Sequence, residues 1–196
     1  MLCGVEERRR EMIRHHQPVE RIFDIVEILP MSSDEMKDFF EKAFKSVNIR
    51  VEAEAMPMLT KYSAGFPKIM HLVGDAAFWL DQDNIISEDD ALQAVITAAM
   101  EVGKKYVDQQ IYKTLRSADY RSILDKLAAT AGDSMSFMKA EIEAELTETQ
   151  RKKLNNFLQK MKKLQVIRAG DVRGEYVFNQ RMVRLYIGLQ SLSRKD

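Results

Sequence analysis

From Ser32 onward, apolar positions recur every three or four residues, the spacing of helices that bury one face. Met36, Phe39, Phe40, Ala43, Phe44 and Val47 mark the first stripe, and Ser32-x-x-Glu35 ahead of it has the form of a capping box. A second helix is expected over about Glu52 to Ala64. Pro57 would lie in its first turn, where a missing N–H is tolerated, and Gly65 just past its end. A third opens after Pro67 and is expected to bury Ile69, Leu72, Val73, Ala76, Ala77 and Leu80, with Trp79 in the same core. A polar break at Asp81 to Asn84 and the box Ser87-x-x-Asp90 introduce a fourth, with Ala91, Leu92, Val95, Ile96 and Ala99 inward, running on toward Leu115. Four short helices with short connections make a small bundle.

A second pattern begins near Ser117. Tyr120, Ile123, Leu124, Leu127 and Ala128 define one helix, Gly132-Asp133 a turn, and Ser136 to Glu145 a short helix with Phe137 and Ile142 inward. Thr147-x-x-Gln150 caps a third, which buries Leu154, Phe157, Leu158, Met161 and Leu164. The period then shortens to two: Val166 to Ala169 and Tyr176 to Phe178 read as strands around a turn at Gly170 to Gly174. A last helix from Gln180, with Met182, Leu185, Tyr186 and Leu189 on one face, is expected to pack back on this module. Three helices followed by a hairpin is the order of a winged helix. Before Ser32 the chain reads differently. Leu2-Cys3-Gly4-Val5 has the look of a strand tail, Glu6 to Arg14 of a short charged helix, and Ile22 to Ile28 of an apolar strand stopped by Pro30. A lone strand needs a sheet, so residues 1–30 read as the remnant of a larger domain. The expected layout is therefore that remnant, an all-α bundle over 31–115, and an α+β winged helix over 116–196.

Composition adds little until charge is resolved along the chain. Eight Gly and four Pro agree with long helices, the twelve Met with core filling, and one cysteine excludes an internal disulfide and fits a reducing, cytoplasmic setting. No apolar run reaches the length of a membrane span. The net charge of zero conceals two opposed halves. Val19 to Met100 holds 7 Lys and Arg against 15 Asp and Glu, whereas Gln150 to Asp196 holds 12 against 3. Such polarity suggests two modules with different partners.

The basic half supplies a candidate nucleic-acid surface. In a helix-turn-helix the recognition helix turns its polar side to the major groove. Opposite Leu154, Phe157, Leu158 and Met161 stand Lys152, Lys153, Asn156, Lys160 and Lys163, with Arg168 and Arg173 on or beside the hairpin. Lysines grip phosphate more than they read bases. The expectation is duplex DNA bound with weak specificity, with a log–log salt slope of roughly −3.6 if four lysines meet phosphates. The alternative is a winged helix used for protein contacts, which would need an exposed apolar patch near Tyr176, Tyr186 or the final helix.

Two further segments carry a resemblance. Pro18-Val19-Glu20-Arg21-Ile22-Phe23 leads into Ile28-Leu29-Pro30-Met31, and Ser63-Ala64-Gly65-Phe66-Pro67-Lys68-Ile69 opens the third helix. In this order they resemble the region after the nucleotide-binding core of AAA+ ATPases, close to the replication-initiator (origin-recognition) and transposition-helper members. The resemblance implies a helical lid followed by a winged helix, nucleotide-dependent assembly on DNA, and partners that include the chain's own AAA+ core and neighbouring ATPase subunits. It places Arg21 as an arginine finger and Lys68 at the sensor-2 position, where the family has arginine. Lysine keeps the charge there but loses the bidentate fork. Two plainer readings stand beside these: Arg21 as an ion pair with Glu20, Asp24 or Glu27, and Lys68 as an exposed helix-start lysine. Val5 sits where a polar sensor-1 residue would be expected, so none is assigned.

The engine itself is missing from the sequence. No Gly-x-x-x-x-Gly-Lys-Ser/Thr phosphate loop occurs, nor an apolar strand ending in paired acids. Gly103-Lys104-Lys105 lacks both the earlier glycine and the hydroxyl. ATP and Mg²⁺ are thus expected of a full-length ATPase and not of this chain alone. His15, His16 and His71 form no ligand set with metal spacing, and Cys3 has no histidine partner in sequence to activate it.

Overall fold

A computed structural model describes residues 28–193 together with Glu11, Met12, Arg14 and His15, these four being helical. The expected strand tail at Leu2 to Val5, Arg21, and all of the Ile22 to Ile28 strand but its last residue lie outside the described residues. From Met31 onward the chain forms one unit, mainly helical with two small sheets among the described residues.

Helix α1 (Ser33–Lys45) starts on the expected capping box. Ser32 N–H donates to the Glu35 carboxylate at 2.8 Å, and Glu35 N–H donates to Ser32 Oγ at 3.3 Å. Met36, Phe40 and Phe44 are buried, but Ala43, on the outer side of the helix, faces solvent, and so does Val47, which lies beyond the helix end at Lys45, just before Asn48 turns the chain at φ 61°. That turn feeds strand β1 (Arg50–Val51), which pairs in parallel with β2 (Ile85–Ile86), an element the periodicity did not predict. Helix α2 (Ala55–Ser63) begins three residues later than expected, puts Pro57 in its first turn and ends on Ala64 (φ 51°) and Gly65 (φ 77°).

Helix α3 (Pro67–Leu80) buries Met70, Val73 and Ala77, while Ile69, Leu72, Ala76 and Leu80 are half-buried. Trp79 follows Ala77 by two residues, or about 200° around the helix. It therefore stands 76% exposed and not in the core. Helix α4 (Glu88–Val102) is capped by Ser87 and Asp90 and shows a similar rotation. Ala91, Ala94, Val95, Ala98, Ala99 and Val102 are buried, Ile96 is half-buried and Leu92 is exposed. This mostly alanine stripe gives neighbouring helices room to approach closely. The chain continues into a π-helical segment (Gly103–Tyr112), whose wider turns place Val107 and Ile111 inward.

Helix α5 (Ala118–Thr130) follows. The expected helix over Ser136 to Glu145 divides into strand β3 (Ser136–Met138) and helix α6 (Lys139–Ala144). Phe137 points inward between its strand neighbours and stacks on Tyr176 with centroids 5.7 Å apart, which fixes a strand there. After α7 (Glu148–Lys163), the hairpin of β4 (Ile167–Ala169) and β5 (Glu175–Phe178) completes an antiparallel sheet of order β3-β5-β4. Phe137 pairs with Tyr176, and Arg168 with Val177.

Helix α8 (Arg181–Ser193) buries Met182, Val183, Tyr186 and Ile187, leaving Leu185 and Leu189 half-buried. The rotation has a cause: α8 packs on α4 and the π segment as well as on α5, so it is covered from two sides. One apolar core runs from Met36 to Ile187.

Candidate functional site

Lys68 is the second residue of α3, at a helix N-terminus whose N-cap, Phe66, offers no side-chain acceptor. The first-turn N–H groups and the ammonium together favour a negative charge. Lys68 Nζ donates to Tyr106 Oη at 2.5 Å and lies 5.1 Å from that ring's centroid. The hydrogen bond, with the ammonium's charge behind it, lowers the Tyr106 phenol from its ordinary pKa. Both residues border a cleft of about 480 Å³ where the bundle meets the sheet-bearing half, lined also by Tyr62, Phe66, Arg181 and Met182. None of the described residues lining it is Asp or Glu.

Beside Tyr62 and Arg181 of this lining, a polar cluster joins the two halves. Lys61 Nζ donates to Asp133 Oδ2 at 2.5 Å, and Tyr62 Oη donates to Asp133 Oδ1 at 3.2 Å. The Arg181 guanidinium sits 6.0 Å from the Tyr62 centroid. The Lys61 hydrogen bond foremost holds the Asp133 carboxyl below the usual range, while burial first and then Asp133 raise the Tyr62 phenol. Behind them Arg184 is buried. It makes a long bond to the Ala128 carbonyl (3.3 Å), its Nε has no hydrogen-bond partner among the described residues, and desolvation lowers its pKa. Because the folded pKa of Asp133 is depressed, its stabilisation is fully present above about pH 4 and fades as pH falls through the lowered value. The pair is solvent-exposed, so Asp133→Asn is expected to cost no more than about 1 kcal/mol at neutral pH. It should also flatten the acid limb of a stability-versus-pH curve measured by urea unfolding. An unchanged acid limb would exclude this role.

The basic set on α7 divides. Lys152 reaches Glu148 one turn back at 3.0 Å, with both side chains largely in water. Lys153 closes a tight ion pair with Asp119 at the start of α5. Lys160 donates to the Thr114 carbonyl at 2.9 Å and lies 5.6 Å from the Tyr120 centroid. Lys153 and Lys160 are two turns apart on the flank beside α5, so each is half-buried and engaged within the molecule. The side facing away from the core keeps Lys152, Asn156 and Lys163 exposed, and the hairpin adds exposed Arg168 and Arg173. Tyr186 is buried and Tyr176 half-buried, so neither heads an exposed apolar patch; Val172 and Leu192 are exposed instead. Arg21 lies outside the described residues.

Sequence reasoning passed over Asp133, Tyr62 and Arg184, since nothing local distinguishes the turn aspartate that meets a lysine 72 positions away. Tyr186 was placed on the inner face of the last helix, but nothing local shows that its hydroxyl donates to Asp108 on the π segment, at 2.8 Å.

No family model matches the chain, and no curated protein does. Among solved structures its fold is similar to that of a Walker-type ATPase of Pyrococcus abyssi. The two are 17% identical, with a TM-score of 0.56, over 81% of this chain and 42% of the other. The chain thus spans less than half the length of that ATPase, and the likeness is one of fold. Among the described residues, no helix is long and apolar enough to cross a membrane.

Proposed function

We propose that this chain is the helical lid and winged-helix part of an AAA+ ATPase, and that it contributes DNA binding to a nucleotide-dependent assembly in the cytoplasm. In this reading residues 31–115 are the lid, 116–196 the winged helix, and 1–30 belong with the nucleotide-binding core. One observation carries it: on a fold shared with a Walker-type ATPase, a helix bundle is followed by helices and a hairpin whose outer side exposes Lys152, Asn156, Lys163, Arg168 and Arg173. A strip of cations along one helix and an adjoining hairpin suits the negative charge of a duplex backbone.

Lys68 has a separate part in this reading. At the N-terminus of α3, beside a cleft lining without carboxylates, it fits the negative charge of a bound triphosphate and neutralises it as a point charge. ATP supplies the phosphoryl group that drives such an assembly. Arg21 is assigned to the nucleotide of a neighbouring subunit. The sequence has neither a phosphate loop nor a strand ending in paired acids, so ATP and Mg²⁺ belong to the whole ATPase and this chain alone is not expected to hydrolyse ATP.

The test is fluorescence anisotropy of a labelled duplex titrated with the chain across a salt series. Binding that weakens steeply with salt and differs little between sequences supports the proposal. Absence of binding at low salt would favour the second reading, a winged helix that contacts protein. That reading draws on the internal engagement of Lys153 and Lys160, which thins the basic strip.

A further inference from the structure

The π segment after α4 carries a face that only its wide turn brings together. The Lys113 amide donates to the Asp108 carbonyl five residues back at 3.2 Å. Bonds of this kind give about 4.4 residues per turn, so successive side chains stand about 80° apart, against about 100° in an α-helix. Lys104, Gln109 and Lys113 then fall within roughly 50° of one another, and Lys105 within roughly 80° of Lys104. In an α-helix Lys104 and Lys113 would stand about 180° apart. All four are exposed, while Gly103, Val107 and Ile111 on the other side are buried.

This face is basic with little to offset it. From Val102 to Arg116 the sequence holds Lys104, Lys105, Lys113 and Arg116 against Asp108 alone, and Asp108 is turned to α8, where it accepts the Tyr186 hydroxyl bond. Exposed Glu101 stands a turn before Lys104 on α4. The elements that meet the segment add no acid: α8 contains no Asp or Glu, α7 none after Glu148, and α3 none before Asp75. Asp119, at the start of α5, is held by Lys153. The face also reaches the basic strip on α7. Lys160 bonds the Thr114 carbonyl, between exposed Lys113 and Arg116, and exposed Lys163 follows one turn on.

The chemistry of the partner follows from what the face lacks. Among the described residues, no exposed large hydrophobic lies between Leu92 and Val172 in the chain. Phe66 is exposed, but it lines the cleft with Tyr106, on another side of the segment. A protein contact draws on a buried apolar anchor, and a membrane-surface helix on an apolar side. A nucleic-acid backbone needs neither, since it presents phosphate oxygens that lysines neutralise and an amide such as Gln109 bonds. We propose that Lys104, Lys105, Gln109 and Lys113, extended by Arg116, form a second grip on the phosphate backbone of duplex DNA, continuous with the strip on α7. The proposal rests on the DNA-binding reading and adds to it a surface on the connector ahead of the winged helix.

The experiment titrates a labelled duplex with the 196-residue chain and its variants at several salt concentrations, read by anisotropy. Lys104→Ala, Lys105→Ala and Lys113→Ala together are expected to flatten the log–log salt slope by about 1.8, two contacts' worth because Lys104 and Lys105 are adjacent. Affinity at roughly 0.1 M salt should fall at least about 30-fold. Lys37→Ala, Lys42→Ala and Lys45→Ala remove the same charge from exposed positions on α1 and are expected to leave the slope unchanged. Glu101→Lys should steepen the slope by about 0.9, a gain that no folding defect produces. Circular dichroism confirms that each variant is folded. If the parent binds and Lys152→Ala with Lys163→Ala flattens the slope, while the π-segment variant matches the α1 control, the second grip is overturned and DNA binding through the winged helix stands. If the parent binds no duplex even at low salt, both fall. A π-segment variant that flattens the slope well beyond the α1 control, together with the Glu101→Lys gain, supports the proposal.

Discussion

Replacing Gly103 by alanine is expected to lower the melting temperature by about 6–12 °C, the equivalent of about 3 kcal/mol in a chain of this size. Gly103 opens the π segment, and Tyr186 of α8 lies flat against its backbone, so a Cβ there would fall within the Tyr186 ring. Neither side has room to yield. Gly103 is buried, Tyr186 is 2% exposed, and its hydroxyl is held by Asp108 at 2.8 Å. The sign of the effect separates two causes. Glycine to alanine inside an unobstructed helix gains up to about 1 kcal/mol, whereas overpacking a core costs about 1–3 kcal/mol and sometimes more. The clash therefore decides the outcome. Tyr186→Phe keeps the ring and loses one hydrogen bond, for about 1 kcal/mol. Tyr186→Leu empties space over Gly103, so Gly103→Ala in that background should cost much less than in the parent. Urea unfolding of the four proteins of this cycle measures the coupling. A Gly103→Ala protein that melts within a degree of the parent would show that α8 is not seated on the π segment.

The parts of this fold that were legible in the sequence are those decided within a few residues. Ser32 with Glu35, Ser87 with Asp90 and Thr147 with Gln150 each form the reciprocal cap their spacing announces. The stripes of α5 and α7 also follow from period alone, whereas that of α1 holds only at Met36, Phe40 and Phe44. What escaped was decided at a distance. Whether Trp79 is buried depends on which side of α3 meets α4. The alanines of α4 settle that, and they carry little weight in a hydrophobic pattern. Ser136 to Met138 has no strand signature of its own, and it is extended because Phe137 meets Tyr176 on a strand nearly forty residues later. The candidate site shows the same limit. The face opposite Leu154 and Phe157 was readable, but the helix that takes up Lys153 and Lys160 was not, since Asp119 and Thr114 lie 34 and 46 positions away.

That division of the lysines leads to the prediction with the largest effect on function. Lys152→Ala, Lys163→Ala and Arg173→Ala together are expected to flatten the slope of log affinity against log salt for a DNA duplex by about 2.7 and to reduce affinity on every sequence alike, because each removes a phosphate contact of similar weight. The Lys152–Glu148 pair does not shield Lys152 from this role, since an ion pair so exposed is worth little and opens readily. Lys153→Ala is expected to behave in the opposite way. It breaks a half-buried pair that ties α7 to α5, so it lowers stability by no more than about 1 kcal/mol and leaves the salt slope unchanged. Lys160→Ala, which frees the Thr114 carbonyl, belongs with it. Anisotropy titrations at four or five salt concentrations, beside urea unfolding of each variant, separate the two classes. If Lys153→Ala and Lys160→Ala flatten the slope as much as Lys152→Ala and Lys163→Ala do, the internal partners give way on binding and all four lysines reach phosphate. If neither class moves it, the strip on α7 does not meet DNA, and any duplex affinity of the chain comes from another surface.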